Sequence, residues 1–155
     1  MRFYLLALLI GVVAGSRTFT APAAVSWGAR FQWLHLSATP LGFLGTLAAP
    51  FILTLLAIGE LIIDKLPNTP SRKAPTGFVA RIVSGAFCGA ALSLAGGGAL
   101  GGLIAGGVGA VVGTLGFSEL RARLAKAFGG RDLPAALIED ACAIAAAVGI
   151  VAATR

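Results

Sequence analysis

The sequence predicts an all-α membrane protein of about five transmembrane helices, the first of them interrupted. Three observations carry this. The 155 residues are 57% hydrophobic and only 12% charged, with mean hydropathy +0.93, whereas a soluble domain carries about 25% charged residues. Apolar runs of about 20 residues, the length a helix needs to cross a bilayer, recur along the chain. Glycine and proline punctuate those runs where spans would turn or pack. With no soluble segment of useful size left over, residues 1–155 form a single polytopic transmembrane domain.

The first span is expected from about Phe3 to Ser26. Its start could pass for a secretory signal, but Ala21-Pro22-Ala23 is a poor cleavage site and further spans follow. Its middle reads Gly15-Ser16-Arg17-Thr18-Phe19-Thr20-Ala21-Pro22. A proline within a helix removes a donor and clashes one turn back, so a kink or break is expected between Arg17 and Thr20. Trp27, Phe31 and Trp33, with Arg30 and His35 among them, suit the headgroup level.

The second span is expected over Gly42 to Lys65, with Pro50 as a kink, followed by a stiff loop from Pro67 to Pro75. The third is expected over Gly77 to Ala95, with Arg81 near its start and a small-residue face at Gly85 and Gly89; a tight turn at Gly96-Gly97-Gly98 ends it. The fourth, Ala99 to Phe117, has glycines at 98, 102 and 106 and again at 109 and 113, the spacing that lets backbones approach closely in lipid. The triple glycine lacks the Lys and Ser/Thr of a phosphate loop, so packing explains it. A basic amphipathic helix from Ser118 to Lys126 stops at Gly129-Gly130, and the fifth span runs from Leu133-Pro134 to about Thr154.

Basic residues then suggest an orientation. With a cytoplasmic N-terminus, Arg2, Lys65, Arg72, Lys73, Arg121, Arg123, Lys126 and Arg131 share the cytoplasmic side, against Arg30 and Arg155 opposite. Gly11 to Phe19 is similar to Gly109 to Phe117 at its spaced glycines. Spans one and four run oppositely in this scheme, which allows a 2+1+2 inverted repeat of the kind found in transporters.

The carboxylates are the chemical core of the reading. Glu60 and Asp64 are four residues apart, on one helix face at a membrane edge, where charge is costly and marks function. Lys65, Arg81 and the pair Glu139-Asp140 are expected on the same side. Such a set either binds a cation or exchanges protons during transport, or it pairs with Arg17, Arg81 and Lys65 to fasten the helices. Arg17 and Thr18, at the break, suit a phosphate or carboxylate ligand; alternatively Arg17 snorkels or satisfies broken-helix carbonyls.

Other classes have little support. There is no Ser/His/Asp set and no HExxH, so no catalytic residue is assigned, and no cofactor. The single histidine, His35, and the absence of CxxC spacing speak against a transition-metal site; Cys88 and Cys142 are expected as buried thiols. Net charge +6 without interleaved aromatic and basic residues points to topology rather than nucleic acid.

Gly15-Ser16-Arg17 with Ala21-Pro22-Ala23-Ala24, the stretch Glu60-Leu61-Ile62-Ile63-Asp64-Lys65-Leu66-Pro67 with Thr69-Pro70, Arg81 before Gly85-Ala86, and Ile138-Glu139-Asp140-Ala141 together resemble the bacterial membrane family catalogued as domain-of-unknown-function family 4126. The resemblance covers nearly the whole chain, and E-L-x-x-D-K-x-P is its most specific part. It implies a small multi-pass protein of the bacterial inner membrane and no substrate. The expected function is a transporter or channel-like permease for a small ion or anionic solute, with Arg17, Thr18, Glu60, Asp64, Lys65, Arg81, Glu139 and Asp140 binding or gating. The alternatives are a structural or accessory membrane protein and a handler of phosphate-headed lipids. Partners are membrane lipids and further copies of the chain, since short glycine-rich helices enclose little volume alone.

Overall fold

The computed structural model describes residues 1–66, 74–94, 96, 98–130 and 132–155. Among these, the chain is all helical: α1 (Arg2–Ser16), α2 (Thr20–Arg30), a 3-10 turn (Gly42–Gly45), α3 (Ala48–Ile63), α4 (Pro75–Leu94), α5 (Ala99–Ala127) and α6 (Asp132–Ala152). Three of them, α4, α5 and α6, are long and apolar enough to cross a membrane, while α1 and α3 are apolar but shorter. Large side chains such as Phe51, Leu55, Val83, Leu100, Ile104 and Val148 face outward, as lipid-facing walls require. Most of the expected proline loop, residues 67–73, and Gly97 of the glycine turn lie outside the described residues.

The centre of the bundle is α1, α4 and α5, joined backbone to backbone. A Cβ at Gly11 would collide with the Gly106 carbonyl, one at Gly106 with the Gly85 carbonyl, and one at Gly89 with the Gly102 carbonyl. Gly109 and Gly113 meet the backbone of α1 at Leu8 and Val12 in the same way. Without side chains between them the helix axes come close and dispersion contacts replace a hydrophobic driving force that lipid does not provide.

Several sequence expectations change here. The first span is not one interrupted crossing but a helical hairpin. Arg2 bonds the Ala153 carbonyl and Arg17 pairs with Asp140, so α1 runs antiparallel to α6. Thr20 lies near Ile144 and Gly28 against Val151, so α2 runs parallel to α6 and therefore back along α1. Pro22 causes no kink: it sits in the first turn of α2, where a missing N–H costs nothing.

The second span shortens for a similar reason. Pro50 lies in the first turn of α3 and starts that helix rather than bending it, leaving 16 residues from Ala48 to Ile63. The fourth span and the basic amphipathic helix are one continuous 29-residue helix, α5. It stops as expected at Gly129 and Gly130, both with positive φ, where the Gly130 N–H closes back on the Ala125 carbonyl at 2.8 Å. Cys88 is buried, but Cys142 is exposed, and both thiols are free.

The helices alternate in direction along the chain, so both termini lie at one end of the bundle and Arg17, Lys65 and the α5–α6 connection lie at the other. Arg2 therefore does not share a side with Lys65 and Arg121, and the chain ends on the side where it begins. Nor are the two similar segments inverted. Gly11 meets Gly106 and Gly15 meets Ala110 and Thr114, so α1 and α5 run parallel with their glycines interlocked. Their similarity is that of two faces shaped for each other.

Two glycines on one helix test this packing. Gly106→Ala must part α5 from the α4 backbone at Gly85 and Gly89 and should cost about 1–3 kcal/mol of unfolding free energy in detergent, whereas Gly116→Ala, with nothing within 4 Å of its Cβ, should stabilise α5 by about 0.5–1 kcal/mol. Equal effects from the two would contradict the glycine contact.

Candidate functional site

The α1–α2 turn, Arg17 to Phe19, is where the polar side chains meet. A helix end leaves backbone groups unpaired, and the bundle supplies partners from other helices. Glu60, at the end of α3, accepts the Thr18 N–H at 2.7 Å on Oε1 and the Phe19 N–H at 2.8 Å on Oε2. Its negative charge faces the start of α2, where the helix dipole favours an anion. Ser84 of α4 donates its hydroxyl to the Thr18 carbonyl at 2.5 Å, and Thr114 of α5 donates to the Gly15 carbonyl at 3.1 Å. The turn is thus held by α3, α4 and α5 at once.

The Arg17 side chain is fully buried, 0% exposed. Its Nη1 pairs with Asp64 at the end of α3, and its Nη2 with Asp140 of α6. The other oxygen of Asp140 accepts from Lys65 Nζ at 2.6 Å, and Lys65 also donates to the Leu61 carbonyl at 2.9 Å. Two cations and two carboxylates form a neutral chain, Asp64 to Arg17 to Asp140 to Lys65, that ties α3 and α6 to the turn. The guanidinium fork reaches the two aspartates with two separate nitrogens, whereas a lysine at position 17 would have to serve both from one ammonium. Arg17 Nε and the Thr20 hydroxyl are buried without a partner among the described residues.

Glu139 faces another way. Although adjacent to Asp140, it lies 3.8 Å from Arg121 Nη1 on α5 and is 4% exposed. Neighbours on a helix point about 100° apart, so one acidic pair serves two elements. Arg81 is buried on α4 one turn before Ser84.

No family model, curated protein or solved structure matches the chain. The site therefore rests on its own geometry.

Of the residues singled out from sequence, Arg17, Glu60, Asp64, Lys65 and Asp140 come together, and Thr18 joins them through its backbone. Ser84, Thr114, Phe19 and Arg121 were not anticipated. Thr114 had a visible signal, a lone hydroxyl in a stripe of glycine and alanine. Ser84 stands three residues after Arg81, on the same helix face. Phe19 contributes only an N–H, which no side-chain pattern reveals.

Removing one partner from a buried ion cluster leaves the others uncompensated. Arg17→Gln should lower unfolding free energy by about 3–5 kcal/mol, while Arg123→Gln, whose pair with Glu119 is exposed, should change it by less than about 1 kcal/mol. Chemical unfolding followed by circular dichroism compares the two; similar losses would mean that Arg17 is not the buried anchor.

Proposed function

We propose that the chain is a small inner-membrane permease for a small ion or anionic solute, gated where α3 latches onto the Arg17 turn. The observation that carries this is how α3 is held. It buries only Pro50 and Ala57 of its 16 residues, and its packing is against α2 and the Gly42–Gly45 turn. At its far end Glu60, Asp64 and Lys65 grip the bundle through charge. A helix fixed by glycine contacts cannot shift without loss of packing, whereas one held by ion pairs can let go when another charge takes a partner's place. A cation or proton engaging Asp64 would compete with Arg17, and an anion arriving at Arg17 would compete with Asp64.

The cost of the cluster supports the same reading. Ion pairs taken out of water rarely stabilise more than apolar packing would, and this bundle already has an apolar means of joining helices in its glycines. Charges near a membrane edge therefore suit a working site better than a fastening.

For orientation, Lys65, Arg121, Arg123 and Lys126 stand at the Arg17 end, and the connections after α3 and α5 carry Arg72, Lys73 and Arg131, against Arg2, Arg30 and Arg155 at the other end. The positive-inside rule then puts the cluster toward the cytoplasm and both termini outside. The resemblance to family 4126 agrees with an inner-membrane location.

A second reading has an observation of its own. The carboxylates Glu60, Asp64 and Asp140 already have partners, as in an accessory protein whose charges lock its helices. Tracer uptake by proteoliposomes offered potassium, sodium, chloride, phosphate and succinate in turn separates the two. The permease reading expects flux above empty liposomes for at least one solute, and a loss of at least tenfold in Asp64→Asn with helicity retained. Flux equal in wild type and Asp64→Asn, alongside a lowered melting temperature in the variant, would favour the lock. Reporter fusions test orientation: tags at residues 1 and 155 should report one side and a tag after Lys126 the other.

A further inference from the structure

The short helix α2 is the floor of a slot. α3 and α6 both pack on α2, and two adjoining hollows of about 210 Å³ and 340 Å³ run along it, sharing Ala24, Trp27 and Val148. The inner hollow reaches Thr20 between Leu61 of α3 and Ile144 of α6. The outer one ends at Phe31 and Trp33. Small residues, Ala24 and Gly28, make the floor low, and the lining is almost wholly apolar. Beyond the inner end, the Lys65–Asp140 pair joins α3 to α6.

The slot opens sideways, toward lipid. Its rims carry exposed apolar side chains, Ile58 on α3 and Ile144 and Val148 on α6. From Thr20 to Arg30, α2 rises about 15 Å, the depth of one leaflet in a hydrocarbon core about 30 Å thick. The outer end has the character of a headgroup zone. Trp27 stacks on Phe31 with centroids 5.4 Å apart, Phe31 meets Trp33 at 5.7 Å, and Arg155 lies 4.9 Å over the Trp33 ring. Arg30 lines a further hollow that shares Trp27 and Phe31. Both arginines are exposed. Every Asp and Glu of the sequence falls at the other half of the bundle, at the end of α3, the start of α6 or the last third of α5.

We infer that this slot holds an acyl chain of an anionic phospholipid, its tail along α2 and its headgroup at Arg30 and Arg155. Length, apolar lining and lateral opening select an acyl chain. The aromatic belt places the headgroup, and two arginines without an acidic side chain nearby select a negative one over a zwitterion. The inference is independent of whether the Arg17 cluster transports anything.

The chain has two tryptophans, which makes the slot directly observable. In Trp33→Phe protein, Trp27 reports from the middle of the slot. It is reconstituted into equimolar phosphatidylglycerol and phosphatidylcholine vesicles in which one lipid or the other carries brominated acyl chains. Bromines on phosphatidylglycerol should quench Trp27 at least twofold more than the same number on phosphatidylcholine. That preference should vanish when Arg30→Gln and Arg155→Gln are combined, and when the slot is filled by Ala24→Leu. Val148→Phe, at an exposed rim position, gives the same block without touching the floor. Equal quenching by the two lipids overturns the proposal. So does a preference that survives loss of both arginines or both ways of filling the slot. Absence of quenching by either lipid would mean that protein covers the slot, and overturns it too.

Discussion

A buried guanidinium with two aspartates is the constraint on which the rest depends. Reversing a chain in a buried, apolar setting leaves peptide groups with nothing to bond, and each such group costs several kcal/mol. At Arg17 to Phe19 the chain reverses all the same. It can do so because Glu60 takes two N–H groups, Ser84 and Thr114 donate to two carbonyls, and Arg17 neutralises the aspartates brought in by α3 and α6. The turn and the charges need each other: without the arginine Asp64 would lose its ion pair and Asp140 would keep Lys65 alone, and without the Glu60 carboxylate the peptide groups would be unsatisfied.

Two kinds of cohesion divide the bundle. α1, α4 and α5 interlock through glycine, where close backbones leave no room for rearrangement. α3 stands outside that core and holds it by polar contacts at one end. The glycine-packed centre and the polar-latched helix are thus joined by different kinds of contact. The slot along α2 lies on the same flank, between the latched helix and α6, with the Lys65–Asp140 pair beyond its inner end.

Much of this was legible in the sequence, and the failures have physical causes. Composition showed a helical membrane protein. The spacing of Glu60 and Asp64 showed a shared face, and the polar stretch with Pro22 pointed to a break between Arg17 and Thr20, where α1 ends and α2 begins. The direction of the chain after the break was not legible. A proline in the first turn of a new helix and a proline in a kinked one look alike in sequence, and the partners that permit reversal, Glu60 and Ser84, lie far along the chain. The same ambiguity lengthened the second span through Pro50. Counting that hairpin as one crossing then placed Arg2 beside the basic loops and the C-terminus opposite. The glycine similarity between residues 11–19 and 109–117 was real as a pattern, but periodicity alone does not distinguish inverted halves from two surfaces that fit each other. Glu139 and Asp140, adjacent in sequence, were grouped; helix geometry separates them.

The most direct test of the account is a double-mutant cycle between Arg17 and Asp140, using Arg17→Met and Asp140→Leu and measuring unfolding free energies in detergent. If the buried pair organises the turn, the double variant recovers much of the single losses, with a coupling of about 2–3 kcal/mol. Additive losses within about 0.5 kcal/mol would show that the two residues act independently and that the turn is held by something other than this cluster.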